Sequence, residues 1–294
     1  MRFFVVAWHE APVPASLVAA GRRIGLEAAV VTPPEISPRA GPGDLILSYL
    51  DVRPQLDGVE AGIAKLRGLR ARGVTILNGP ETVRACHDKL VTALRLGRVG
   101  LPHPDTAYLS AASTPRDVSR LRFPLVVKPR FGSRGEHVTI CADPDELGPL
   151  LGRLRRLGWF RRQGALIQEL VPPAGHDLRI LVAGGGAVGA VRRVAPPGES
   201  RTNVALGAFR RPIRPQPPEC ELAVAAADAV GAALAGVDLI PLPDGGYAVL
   251  EVNAAPEFTA AYSLDGNDVF EAVVIALLLP EPAEVSPAPA PLTL

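Results

Sequence analysis

Cysteine is scarce in this chain of 294 residues: Cys86, Cys141 and Cys220 are scattered, odd in number and without a Cys-x-x-Cys pair. That spacing argues against a disulfide framework and against a structural zinc site. Net charge is nearly absent, at +1, so no global field draws the chain to nucleic acid or to an anionic membrane. Aromatic residues, at 5%, offer few surfaces for stacking bases. The longest C-terminal apolar run, Val273 to Leu279, is far short of the ~20 residues of a membrane span. Met1 to Ala7 leads at once into Trp8-His9-Glu10 with no signal-peptide pattern. These absences predict a cytoplasmic protein with neither nucleic acid nor membrane as partner.

What is present reads as an alternating fold, and the length suggests two domains or three small ones. Strand-like runs at Phe3–Ala7, Ala28–Val31, Asp44–Ser48 and Val74–Leu77 alternate with helical spacing at Ala15–Ile24 and Val59–Arg72. That order predicts a parallel sheet with helices on its faces. No Gly-x-Gly-x-x-Gly follows the first strand, so dinucleotide binding is not expected. Ligands of such sheets collect at the carboxyl ends of strands, which places Trp8, His9 and Glu10 by a substrate pocket or in a plain loop. A turn at Asn78-Gly79 leads into a helix through Leu96 that carries Asp88-Lys89, and on spacing alone Lys89 is a surface lysine. The Pro-rich stretch Gly100–Thr106 reads as an extended linker and a domain boundary.

Beyond it, Leu125-Val-Val-Lys-Pro129 predicts a strand carrying Lys128, and a loop with Gly132, Ser133 and Gly135 leads to a second strand at His137–Ile140. A glycine hairpin can lay backbone N–H groups over phosphates, although this one is no Walker A loop. Lys128 is flanked by Val126, Val127 and Pro129, and an ammonium buried there requires an anionic partner. Another strand, Ala165–Val171, carries Glu169 and Leu170. Asp177–Ala183, three glycines and Ala187–Val194 read as a hairpin on which Asp177 and Arg179 share a face of the first strand and Arg193 sits on the second. The loop after it offers Arg201 and Asn203. Taken singly, these charges are solvated surface groups; together they could converge on one cleft. Glu219–Ala235 reads as a helix, and Asp268-Val-Phe-Glu271 as the start of another, running to Leu279. Pro280 to Leu294 has a disordered or polyproline-like composition.

The stretch Gly236–Asn253 organises the rest. Val237–Ile240 and Tyr247–Val252 flank Asp244-Gly245, a turn dipeptide, and a hairpin centred there sets Asp238 across from Glu251 with Asn253 on the same face. Facing like charges destabilise a strand pair by roughly 0.2–1 kcal/mol. A hard divalent cation would reverse that sign, since Mg²⁺ and Mn²⁺ take oxygen ligands. A solvated acidic face explains the hairpin alone equally well.

Asp88-Lys89, Val-Val-Lys-Pro with its glycine loop, Gln-Glu followed by Asp-x-Arg, and Gly-Val-Asp…Leu-Glu-Val-Asn stand in one order. The set resembles the ATP-grasp superfamily, and within it the RimK-like carboxylate–amine ligases of alpha-L-glutamate type, over roughly residues 76 to 280. The resemblance implies an ATP-grasp fold, mixing α/β and α+β. A Rossmann-like substrate domain (1–99) would precede a central lobe with the glycine loop (100–171) and a C-terminal lobe with the metal site (172–280), ahead of the tail (281–294). It further implies that Lys89 and Lys128 hold ATP phosphates beneath Gly132–Gly135, that Glu169 and Leu170 border the adenine, and that Asp177 takes the ribose. Asp238, Glu251 and Asn253 would hold two Mg²⁺ or Mn²⁺ ions; Arg193, Arg201 and Asn203 would face the phosphoryl group and the acid.

The activity implied is ADP-forming amide synthesis through an acyl phosphate, adding glutamate or another amino acid to a small molecule, a peptide or a protein tail, in a homo-oligomer. Three departures concern the substrates: where the family continues with an arginine and a glycine pair, Val204–Ala208 lacks that arginine; Ala254-Ala-Pro-Glu-Phe258 replaces Ser-Pro-Gly; and the segment between Glu169 and Asp177 is compact. The other reading is a non-catalytic ATP-binding regulatory module, which the full set Asp238, Glu251 and Asn253 speaks against, since a mere binder needs fewer metal ligands.

Overall fold

The computed structural model of the chain describes residues 1–8, 11–133, 135–199 and 201–279. His9, Glu10 and the tail 280–294, for which expectations were stated above, lie outside the described residues, as does Arg134 of the glycine loop. Among the described residues, no helix is long and apolar enough to cross a membrane.

The alternation at the start of the chain forms a parallel sheet. Strands β1 (Arg2–Val6), β2 (Glu27–Val31), β3 (Leu45–Ser48) and β4 (Thr75–Leu77) lie in the order β2-β1-β3-β4. Helices α1 (Pro12–Arg23), α2 (Pro33–Arg39) and α3 (Ile63–Arg70) connect them. Helix α2 is absent from the sequence reading, where its two starting prolines and Pro38 hide it. Prolines are tolerated in the first turn, and the Thr32/Glu35 capping box starts the helix there. Trp8, after β1, donates its indole N–H to the Ala61 carbonyl at 2.6 Å.

The helix expected to run through residue 96 is two helices, α4 (Pro80–His87) and α5 (Lys89–Arg98), broken at Asp88. The break has a visible cause. The fully buried Asp88 carboxylate accepts two hydrogen bonds of 2.6 Å from Arg130, and the Lys89 N–H reaches the Arg130 carbonyl. Lys89 therefore begins a helix instead of riding along one.

An antiparallel sheet of β5 (Thr106–Leu109), β6 (Leu125–Pro129), β7 (Thr139–Cys141) and β8 (Ala165–Glu169), in the order β5-β8-β6-β7, follows with helices α6 (Pro144–Leu154) and α7 (Gly158–Gln163). The last sheet is antiparallel throughout, in the order β11-β10-β9-β12-β13: β9 (His176–Ala183), β10 (Gly186–Val194), β11 (Phe209–Pro212), β12 (Leu234–Pro241) and β13 (Tyr247–Asn253). Helix α8 (Pro217–Val230) stops earlier than expected, because Gly231 turns left-handed (φ 72°) and Leu234 and Ala235 already belong to β12. Helix α9 (Val269–Leu278) starts at the Asp268 cap.

The faces of this last sheet differ. Leu178, Ile180, Val182, Val237 and Leu239 pack under α8. Leu181, Ala183, Val191 and Leu234 join α9, α1 and the first sheet in a shared core. Asn78, after β4, locks the two together: its amide donates to the carbonyls of Leu234 (2.7 Å) and Ala254 (3.1 Å) and accepts from Ala233 N (2.9 Å).

The Pro-rich linker is also pinned. Pro102 O accepts from Val249 N at 2.8 Å, covering the outer edge of β13. His103 Nδ1 donates to Val249 O at 2.7 Å, so its Nε2 accepts from Gln168 of β8 at 3.0 Å. The ring must stay neutral to accept, and burial, partly opposed by the Val249 carbonyl, pushes its pKa down to about 4. As the pH falls, the unfolded chain takes up this proton first, near the ordinary histidine value of about 6.5. Stability contributed by neutral His103 is full above pH ~6.5 and is lost progressively toward pH 4, by at most ~1.4 kcal/mol per pH unit. Urea unfolding at pH 7 and pH 5 should show that decline in the parent and a shallower one in His103→Gln. Equal slopes would remove His103 as its source.

Candidate active site

The hairpin β12–β13 pairs Asp238 with Glu251 and Gly236 with Asn253. Its tip differs from the turn expected around Asp244-Gly245. Pro241 pairs with Tyr247, and the loop between them closes with hydrogen bonds between Leu242 and both Gly245 and Gly246. That register is one residue out of step with the Asp238–Glu251 pair. A bulge at Leu250, between the pairs Leu239–Val249 and Asp238–Glu251, restores it. A bulge re-aims side chains, and Leu250 and Glu251 both line the cavity described below.

Asp238 is 4% exposed and carries no unopposed charge. Arg179, its cross-strand partner on β9, grips both oxygens (2.6 and 2.7 Å), and Arg193 on β10 adds a bond of 2.8 Å. Burial pushes this carboxyl up, but the two guanidiniums prevail and hold it at about 2. The other edge of the Arg193 fork takes Asp177, directly opposite it in the ladder, and Thr202 donates its hydroxyl to the same carboxylate. A row of charges thus runs across one face of the sheet. The sequence placed Asp177 and Arg179 on one face but assigned Arg179 no role; its period-2 spacing from Asp177 was the available signal.

Glu251 has its own cation. Lys89 Nζ donates to Glu251 Oε1 at 2.6 Å and to the Gly132 carbonyl at 2.8 Å, tying α5 to β13 and to the glycine loop. Burial opposes ionisation of Glu251, and Lys89 reverses that, lowering its pKa. Lys128 on β6 is 8% exposed, and burial together with the neighbouring Lys89 pushes its pKa down to about 8. Two ammoniums under one glycine loop leave an anion wanting there.

These groups border a cavity of about 570 Å³ between the second and third sheets. Lys89, Lys128, Gly132, Ser133 and Gly135 line one side. Gly135, at φ +74°, approaches Asn203 so closely that a Cβ would lie 2.9 Å from the amide oxygen. Glu169 and Leu170 line the far end, where Arg122 holds the Glu169 carboxylate at 2.8–3.3 Å and Leu170 N donates to Pro124 O. Asp177, Arg201, Asn203 and Glu251 complete the wall, and Arg201 is forked onto Glu199 (2.8 and 3.0 Å). Arg193, Asp238 and Asn253 stand behind the lining. Asn253 Oδ1 accepts from Ala255 N at 2.9 Å. Asp88, Arg130 and His103 position the site but drew no role from the sequence, because each acts through a partner distant in the chain.

By donor type the two carboxylates and the Asn253 amide fit a hard divalent cation. Glu251 meets the cavity directly, whereas Asp238 would have to exchange an arginine bond for a metal bond.

The model of the RimK-like ATP-grasp domain matches residues 87–276. The glutamate–LysW ligase ArgX of Sulfurisphaera tokodaii is 32% identical over 191 residues, which are 65% of this chain and 68% of that relative. A probable alpha-L-glutamate ligase of Parasynechococcus marenigrum is 31% identical over 211 residues, 71% of this chain but 44% of the relative, so the chain spans less than half of that protein. Among solved structures, the RimK domain protein ATP-grasp from Sphaerobacter thermophilus superposes with a TM-score of 0.68 at 21% identity, covering 94% of this chain and 98% of its own. The domain match spans the kink at Asp88, the cavity and the β12–β13 hairpin alike, and this chain belongs to the RimK-like ATP-grasp family.

Proposed function

We propose that the protein is an ATP-dependent carboxylate–amine ligase that adds an amino acid, glutamate as in the names of its relatives, to a small-molecule, peptide or protein acceptor. The observation that carries this reading is Lys89, which joins Glu251 to the glycine-loop carbonyl beside the buried Lys128. A carboxylate meeting a triphosphate is repelled unless cations cancel the charge, and this arrangement concentrates cations where phosphates would lie. The relatives are named as ligases, which supports an enzyme rather than a regulatory module.

In this reading Lys89 and Lys128 hold the phosphates under Gly132, Ser133 and Gly135, with Glu169 and Leu170 at the adenine and Asp177 on the ribose side. Arg193, Arg201 and Asn203 steady the acid. A substrate carboxylate oxygen attacks the γ-phosphorus as the bond to the β-phosphate breaks, releasing ADP. The amine then attacks the acyl carbon, phosphate leaves with the C–O electrons, and the amine surrenders a proton. Asp238, Glu251 and Asn253 would hold two Mg²⁺ or Mn²⁺ ions, which supply charge neutralisation along the phosphates. We place the protein in the cytoplasm, where Cys86, Cys141 and Cys220 stay free thiols, and infer a homo-oligomer from its resemblance to such ligases.

ADP and phosphate should appear only when ATP, an acid and an amine are present together. Glu251→Ala should abolish that release while the circular dichroism spectrum stays unchanged; normal turnover would remove Glu251 from the metal site. Lys128→Ala should raise the KM for ATP roughly 10- to 100-fold, the scale of one charge-assisted hydrogen bond. An unchanged KM would take Lys128 out of the phosphate site.

Asp238 will behave differently from Glu251. Removing its carboxylate leaves Arg179 and Arg193 short of a partner in the buried sheet, a loss of about 3–5 kcal/mol in comparable buried pairs. Asp238→Ala should therefore lower unfolding free energy by that amount in urea titration. A loss under ~1 kcal/mol would mean the arginines find other partners.

A further inference from the structure

Among the described residues, one member of the charge row has an Nε–H that no acceptor satisfies. Arg193 on β10 faces Asp177 on one side and Arg210, on the edge strand β11, on the other. Directly opposite residues of an antiparallel pair share a face, so Arg210 lies on the face of Arg193, Asp177 and Asp238. The Arg193 fork is already committed to the two aspartates. Arg210 therefore stands beside a like charge, and its Nε–H is shut from solvent with no acceptor. No interaction of the described residues pairs it with a carboxylate. The neighbouring arginines make the contrast. Arg192 and Arg211, also opposite each other, point to the other face, are exposed, and Arg211 lies over the Phe209 ring at 5.1 Å.

Position narrows what Arg210 can hold. Strand β11 is one edge of the sheet and β13 the other, so Arg210 lies four strand spacings from Glu251, roughly 19 Å at about 4.8 Å each. That sets Arg210 at the opposite edge of the sheet from the Lys89–Glu251 pair. It follows directly on the loop carrying Arg201, Thr202 and Asn203, which borders the cavity. Arg210 is the first arginine after Arg201.

We propose that Arg210 is a specificity-determining residue that binds a carboxylate of the acid or amine substrate remote from the bond being formed. This rests on the ligase reading of the same cleft. A planar fork beside an arginine already paired with two aspartates suits a carboxylate of a second molecule, and half-burial leaves the fork both reachable and partly desolvated.

The test uses the full chain with ATP and Mg²⁺, supplied with L-aspartate, L-glutamate, L-asparagine and L-glutamine singly and in pairs. ADP release is followed, and product masses tell whether the acidic compound served as acid or as amine. The parent should favour an acidic amino acid over its amide at least tenfold in kcat/KM. Arg210→Gln should erase that preference through KM for the amino acid, leaving KM for ATP unchanged, and Arg210→Lys should keep part of it. The proposal is overturned if Arg210→Gln retains the parent's acid-over-amide ratio, if the parent prefers the amides, or if no compound is used although ADP binds. Calorimetric titration of Mg·ADP separates the two layers: a parent chain that fails to bind it refutes the ligase reading itself.

Discussion

One carboxylate between two guanidiniums sets the frame of the cleft. Asp238 is shared by Arg179 and Arg193, and through Arg193 it is coupled to Asp177, so β9, β10 and β12 are cross-linked on one face. Facing carboxylates on β12 and β13 would repel if left alone. Each instead has its own cation, the arginines for Asp238 and Lys89 for Glu251. The acidic pair is therefore balanced by cations of the protein itself. In the proposed metal site, cation binding would be an exchange reaction, in which a metal competes with arginine for Asp238 and with lysine for Glu251. Phosphate arriving with the metal would give the displaced ammonium a new partner, and on that reading metal and nucleotide would bind in concert.

The exchange depends on parts brought from far along the chain. Lys89 reaches Glu251 only because Asp88 breaks the α4–α5 helix, and Asp88 does so only because Arg130 of the next sheet holds it. His103 and Gln168 fasten the linker between the second and third sheets, and Asn78 fastens the first sheet to the third. These are side-chain bonds between groups dozens to more than a hundred residues apart. They tie α5 and the linker to the second and third sheets and the first sheet to the third, and the cavity lies where the second and third converge.

Local patterns were legible because their physics is local. The first parallel sheet, the glycine hairpin after Lys128 and the β9–β10 pair follow from alternation and turn residues. The pairing of Asp238 with Glu251 was read from a turn centred on Asp244-Gly245, yet the tip sits one residue out of step and the Leu250 bulge compensates. A bulge leaves no mark in composition. Ala232 to Ala235 read as helix because alanine favours it, and the Gly231 cap together with β-sheet pairing overrode that propensity. Strands β5 and β11 were missed for the same kind of reason: both are short edge strands flanked by proline, where pairing rather than sequence pattern makes the strand.

A further signal lay in the basic residues themselves. The chain has only three lysines, Lys65, Lys89 and Lys128, among 31 basic residues, and two of the three meet in the cleft. Wherever a carboxylate within the protein must be held flat, at Asp88, Glu169, Asp177 or Asp238, an arginine fork does it. A guanidinium is broad and stays charged under all ordinary conditions, whereas an ammonium is compact, gives three rotatable donors and loses its charge readily when buried. Beneath the glycine loop, Lys89 Nζ donates to Glu251 and to the Gly132 carbonyl at once, which a compact ammonium does with separate donors. In a chain that otherwise uses arginine almost everywhere, those two lysines mark where the chemistry requires an ammonium.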